Sequence, residues 1–248
     1  VGDTSDDPPE LTQVGPITYA TFGLSQRDYQ EYYNGFANST LWPLFHYRLD
    51  LMEFSRRTFA GYQRVNSQFA AKLMSMLQPD DRVWVHDYHL IPFAEQLRQM
   101  GARNPIGFFL HTPFPVPEML MALPSAGQLV RSLCCYDVVG FQTRRDRQAF
   151  LSFVAQQGGG EVLDDRLVRA YGRVVRVEAF PISIETADIE KQAEAAARTQ
   201  QSQRLLHSIR QRDLIIGVDR LDYTKGILQR LLAFEELLES EALDPATT

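Results

Sequence analysis

Two short apolar runs, residues 83–85 and Ile106–Leu110, each stop abruptly at polar rings or carboxylates: His86 and Asp87 after the first, His111 after the second. Buried parallel strands end in this way. Between them Leu90, Phe93, Ala94 and Leu97 recur at helical spacing and Gly101 follows as a helix stop, so residues 83–117 read as strand, helix, strand. A right-handed crossover then carries the ends of both strands to one edge of a parallel sheet. Ligands bind at that edge in an open α/β sheet. The expected class is therefore α/β, with His86, Asp87 and His111 projecting into one crevice.

Composition narrows what such a crevice serves. A net charge of -6 argues against a general nucleic-acid binder, which needs a basic face, but leaves room for a local phosphate pocket. No run of about 18 apolar residues occurs, and the polar start of the chain does not read as a signal peptide. The two cysteines, Cys134 and Cys135, are adjacent in an apolar helical stretch and read as reduced core thiols, which points to the cytoplasm.

Along the chain, residues 1–16 read as a loop or frayed end, with residues 17–22 a weak strand after it. Ser25 is a good N-cap for a helix bearing Tyr29, Tyr32, Tyr33 and Phe36 on one face. Trp42, Phe45, His46, Tyr47 and Arg48 crowd around Pro43, a set suited to a rigid wall that a sugar could stack on, or simply to core packing. Residues 59–77 form an amphipathic helix. Residues 137–141 are a further buried strand, Thr143 caps the helix after it, 156–160 is a flexible turn, and 167–179 is a hairpin about Gly172 and Arg173. A connecting helix is expected over 186–212, then a strand at 214–218 and a helix from Ile227.

Several of these residues could carry chemistry. Arg220 and Lys225 stand just before a helix amino terminus with Gly226, where unpaired N–H groups and the helix dipole already favour an anion, so a diphosphate seat competes with a merely solvated pair. His86, Asp87 and His89 invite a metal, yet the remaining histidines, His46 and His207, lack ligand spacing. Asp87 equally suits a helix N-cap, and His111 a buried structural histidine. No Gly-x-Ser-x-Gly motif occurs.

The strings at 86–90 (His-Asp-Tyr-His-Leu), 107–115 (Gly-Phe-Phe-Leu-His-Thr-Pro-Phe-Pro), 136–143 (Tyr-Asp-Val-Val-Gly-Phe-Gln-Thr) and 220–226 (Arg-Leu-Asp-Tyr-Thr-Lys-Gly), with a further block from Tyr32 to Asp50, resemble the signature blocks of the retaining family-20 glycosyltransferases, the trehalose-6-phosphate synthase family of the GT-B fold. The match runs in order from about Ile17 to Leu238. The resemblance implies a Rossmann-like acceptor lobe over residues 17–185 and the first strand and helix of a donor lobe over 213–248. It implies glucosyl transfer from UDP-glucose to glucose 6-phosphate with retained configuration, with no cofactor and no metal. Arg220 and Lys225 would hold the diphosphate and His111 would contact the donor glucose as the catalytic set. Tyr33, Trp42, Asp87 and Thr112 would form the acceptor pocket, Thr112 standing where a larger aliphatic residue is expected.

Partners would be small molecules, a nucleotide sugar and a sugar phosphate, with a homo-oligomer possible in the complete protein and neither nucleic acid nor membrane involved. Rival readings are a glucosylglycerol-phosphate synthase and a non-catalytic regulatory domain of the same fold. The family's glycine-rich first loop and most of its second lobe have no counterpart in the sequence. The 248-residue chain alone is therefore expected to be marginally stable and to release no UDP from UDP-glucose and glucose 6-phosphate, which a coupled UDP assay checks.

Overall fold

The structure is a computed structural model that describes residues 8–209 and 214–243. The chain divides into two units, Val1–Ile182 and Ser183–Thr248. The first unit opens with an antiparallel hairpin, β1 (Glu10–Val14) and β2 (Ile17–Thr21), turned at Gly15 with φ 58°. Over Glu10–Val14 this corrects the loop expected across 1–16, of which residues 1–7 lie outside the described residues. Every residue of both strands is exposed, so no buried face imprints an alternating pattern on the sequence.

A helical rod, α1, follows as an α-turn (Gln26–Asp28), a π-helix (Tyr29–Leu41) and a closing α-turn (Trp42–Phe45). Ser25 caps it as expected, its hydroxyl accepting from the Asp28 N–H at 3.0 Å. The i→i−5 bonding, seen where the Trp42 N–H donates to the Ala37 carbonyl, shifts the register by one residue per turn. Tyr32 and Phe36 are thereby buried while Tyr33 is left partly exposed at the rim.

Against it packs α2 (Arg56–Met74), started by Ser55. The contact is close at Gly61, where a methyl would collide with Cβ of Glu31. Glu31, 4% exposed, is held by Arg27, Arg57 and Arg64 at 2.7 to 3.0 Å, and Arg64 also binds Asp28. The Arg64 guanidinium foremost, then Arg57, brings the Glu31 carboxyl from an ordinary 4.5 down to about 2. Its folded-state value being depressed, its contribution to stability is fully present above about 4.5 and is lost as pH falls through about 2. Glu31→Gln should therefore flatten the fall in stability over that acidic window, read by denaturant unfolding at stepped pH. Gly61→Ala should lower stability by about 2 kcal/mol, because two helix backbones must part.

The sheet begins at β3 (Val83–His86), followed by a 3-10 turn (Tyr88–Leu90), α3 (Phe93–Gln99) and β4 (Ile106–Leu110). Then come α4 (Pro117–Leu120), α5 (Ala126–Leu133), β5 (Val138–Phe141), α6 (Arg144–Gln156) and three strands, β6 (Glu161–Val162), β7 (Leu167–Ala170) and β8 (Arg173–Ala179). The strand order is β3-β4-β5-β8-β7-β6, parallel from β3 to β8 and antiparallel beyond. A full capping box starts α6, with Thr143 and Asp146 exchanging bonds at 3.2 Å. The β7–β8 hairpin turns on Tyr171 and Gly172, both at positive φ as a two-residue turn of this hand requires. Residues 156–160, expected as a turn, are entered by the last helical residue of α6 and lead into β6.

One face of the parallel strands is sealed: Val85, Phe108, Leu110, Val139 and Phe141 are all buried beneath the helices. Cys134 lies in this core, where burial pushes its thiol up to about 12, and both cysteines are free. The other face carries an open hollow lined by Trp84, Gly107, Phe109, Val138, Phe180 and Ile182, and His86 and His111 lie at its end.

In the second unit the expected connecting helix is two helices, α7 (Thr186–Ala197) and α8 (Gln200–Ser208). Thr199 takes extended geometry and caps the second through the Ser202 N–H, so the rod breaks there. The run at 214–218, expected as a strand, has no ladder partner among the described residues, and a strand exists only as a pair. A 3-10 turn (Tyr223–Lys225) then leads through Gly226, φ 60°, into α9 (Ile227–Glu239). Residues 210–213 of the expected connection and 244–248 of the expected tail lie outside the described residues. No helix among the described residues is long and apolar enough to cross a membrane.

Candidate active site

Parallel register sets His86 opposite Phe109, and the ladder runs one step further as the Asp87 N–H donates to the Phe109 carbonyl at 2.8 Å. There the chain turns sharply: Asp87 has φ 71°, a conformation L-residues seldom hold. The N-cap expected as one reading of Asp87 is not made, because its side chain accepts no cap bond and its Oδ1 is buried without a partner.

The turn after Asp87 is pinned from two helices. The Tyr62 hydroxyl donates to the Tyr88 carbonyl at 2.5 Å, and the Asn66 amide donates to the His89 carbonyl at 3.1 Å. The Tyr88 hydroxyl donates to Asn38 Oδ1 at 3.0 Å, tying the strand tip to α1. With its backbone held, His89 stacks on Tyr33, ring centroids 5.3 Å apart and planes 15° apart. Tyr33 stacks in turn on Tyr29 at 5.2 Å. Trp42 packs on His46 at 4.0 Å and on Tyr88 at 5.7 Å, whereas Phe45 of the same set is buried in the core, so both readings of that segment hold in part.

Several polar atoms at these strand ends are buried and unsatisfied among the described residues. Besides Asp87 Oδ1, these are Trp42 Nε1, His89 Nε2 and Thr112 Oγ1, each inaccessible and without a hydrogen-bond partner among the described residues. Each such atom carries a desolvation cost of about 1 to 3 kcal/mol unless a ligand pairs it. One N–H donor, two groups that can donate or accept, one carboxylate oxygen and stacked rings together suit a polyhydroxylated ring. Burial pushes His89 below the ordinary histidine range, with the Asp87 carboxylate acting the other way.

His86 Nδ1 and His111 Nε2 lie 3.0 Å apart beside this hollow. Of the residues singled out from the sequence, Tyr33, Trp42, Asp87, His111 and Thr112 all come to the strand ends of the first unit. Arg220 and Lys225 belong to the second unit, both exposed and without an ion pair among the described residues. Asp222 accepts from the Thr224 N–H at 2.8 Å, shaping the turn that presents Lys225 ahead of α9. From the sequence His89 stands out only as a candidate metal ligand. Its signal was the place it takes three residues past His86, one turn beyond a strand end, where a side chain faces the same crevice. Among the described residues no group of three or more His, Cys, Asp or Glu is arranged to hold a metal.

Comparison with known proteins meets this geometry. The model of glycosyltransferase family 20 matches residues 8–243. A curated trehalose-6-phosphate synthase of Klebsiella pneumoniae is 47% identical over 240 residues, covering 96% of this chain and 50% of its own. The crystal structure of an alpha,alpha-trehalose-phosphate synthase (UDP-forming) of Burkholderia vietnamiensis superposes with a TM-score of 0.92 at 47% identity, over 96% of this chain and 54% of that one. A synthase of Burkholderia xenovorans, solved in complex with glucose-6-phosphate, superposes with a TM-score of 0.91 at 45% identity, over 96% and 52%. The chain spans about half the length of the relatives it matches. The α/β class expected from the strand ends, a GT-B type Rossmann-like sheet flanked by helices, is the architecture found. With its strand-end blocks intact and a family model matching nearly its whole length, the chain belongs to glycosyltransferase family 20.

Proposed function

We propose that the protein bearing this chain transfers glucose from UDP-glucose to glucose 6-phosphate, forming trehalose 6-phosphate with the anomeric configuration retained. The observation that carries this reading is the set of unsatisfied buried polar atoms, Asp87 Oδ1, His89 Nε2, Trp42 Nε1 and Thr112 Oγ1, on residues at the strand ends and on the aromatic rings stacked beside them. Family membership supports it, as does the glucose-6-phosphate complex of the Burkholderia xenovorans relative.

In this mechanism Asp87 and His89 orient the acceptor hydroxyls, Tyr33 and Trp42 hold the ring, and Thr112 adds a hydroxyl where the pocket selects the anomer. His111 contacts the donor glucose. Arg220 and Lys225 hold the diphosphate and stabilise its charge as it leaves. The bond from the anomeric carbon to the phosphate oxygen breaks, the bond to the acceptor oxygen forms on the same face, and the departing phosphate oxygen takes the acceptor proton. No enzyme nucleophile is involved, and neither a cofactor nor a metal takes part. Catalysis is then positioning and electrostatics.

Tyr33 and Trp42, at the positions where the resemblance places contacts to a hexose acceptor, favour this reading over glucosylglycerol-phosphate synthesis. The test is UDP release by the protein bearing this chain, with UDP-glucose and either glucose 6-phosphate or glycerol 3-phosphate as acceptor. Faster release with glucose 6-phosphate is expected. Faster release with glycerol 3-phosphate, or release indifferent to acceptor, would overturn the assignment.

A further inference from the structure

The sheet face that carries His111 carries a second imidazole to which the transfer reaction gives no task. In the parallel register Trp84 pairs with Gly107 and His86 with Phe109, and His111 follows two residues on, so all five positions share one face. Gly107 leaves room for the Trp84 ring, whose Cδ1 would stand 3.8 Å from a Cβ there. Trp84 supports His86 from one side, ring centroids 4.6 Å apart, and Phe109 meets His111 edge-on at 4.7 Å. Between these supports the two imidazoles lie 5.2 Å apart, planes 27° apart, with His86 Nδ1 and His111 Nε2 at 3.0 Å.

A hydrogen bond between two imidazoles needs one donor nitrogen and one acceptor nitrogen, so the pair cannot be doubly protonated and stay bonded. The apolar hollow reinforces this: burial first, then His111, lowers the tendency of His86 to take a proton, with Asp87 opposing. His111 Nε2 is thus committed to His86, and Nδ1 is its one ring nitrogen left for a ligand. The tautomer of His111 is thus coupled to that of His86 across the strands, one ring presenting an N–H where the other presents a lone pair.

We propose that His86 is a positioning residue for His111, holding its ring plane and a single tautomer so that Nδ1 meets the donor sugar. The identity of that sugar rests on the function proposed above; the coupling of the two rings does not. His86 is exposed, so replacing it leaves the core intact.

The experiment compares His86→Asn, whose amide can occupy the place of Nδ1, with His86→Phe, which keeps the ring against Trp84 but has no nitrogen. Both are made in the protein bearing this chain with labelled histidine. The unaltered protein and His86→Asn should show one His111 tautomer by nitrogen NMR, and His86→Phe a mixture. kcat/KM for UDP-glucose should fall by about tenfold or more in His86→Phe and stay within about threefold in His86→Asn, while KM for glucose 6-phosphate is unmoved in both. An unaltered His111 spectrum in His86→Phe, or equal losses in the two variants, would overturn the proposal. A mixed-tautomer spectrum in His86→Phe from a protein that transfers no glucose even unaltered would support the ring coupling while defeating the functional reading.

Discussion

Changing Asp87 to asparagine should raise the KM for glucose 6-phosphate of the protein bearing this chain by about 100-fold, without weakening the fold. Asp87 Oδ1 is buried with no donor, so the folded protein already bears the cost of a desolvated carboxylate oxygen. A ligand hydroxyl that donates to it removes that cost. Losing the charged acceptor of that bond, worth up to about 3 kcal/mol, amounts to roughly 100-fold at about 1.4 kcal/mol per factor of ten. Stability should move the other way or not at all. Asparagine tolerates the positive φ of 71° at this position as readily as aspartate, and it carries no charge to bury. Steady-state kinetics and thermal unfolding together decide the matter. A variant that loses stability along with affinity would mean that Asp87 serves the turn rather than a substrate.

Arg220→Ala should lower kcat by about 10² to 10³ and leave thermal stability unchanged. Arg220 is exposed and has no ion pair among the described residues, whereas nearby Asp219 is engaged by Arg230 at 2.7 Å. An unengaged cation beside a helix amino terminus contributes little to folding and much to an anion that forms during reaction. Arg220→Lys should recover only part of the rate, because an ammonium cannot offer the paired N–H geometry that a diphosphate accepts. Rates within threefold of the unaltered protein for Arg220→Ala would remove Arg220 from the mechanism and favour the non-catalytic reading of the fold.

Much of the sheet was legible because its strands leave strong local marks. The runs ending at His86 and His111 are apolar enough to be strands whatever surrounds them, and Thr143 followed three residues later by Asp146 is a helix start in any context. The β1–β2 hairpin was missed because both strands are exposed on both faces. The run at 214–218 misled for the opposite reason: it has the apolar content of a strand but no neighbour to pair with among the described residues. Only the tertiary contacts separate these cases, since strand formation is a property of two segments and propensity a property of one.

The same division holds at the site. The sequence by itself determined which polar groups end the strands, and hence that His86, Asp87 and His111 share an edge, because side-chain alternation and crossover handedness leave little choice. That Asp87 does not cap the turn after it was decided by its positive φ and missing cap bond. Tyr62, Asn66 and Asn38, reaching in from 23 to 50 residues away, hold the turn beside it. They also place His89 against Tyr33, and the parallel register brings His86 to His111. Hydrogen bonds and ring contacts between residues so distant in sequence leave no periodic trace in either segment, so folding alone reveals them.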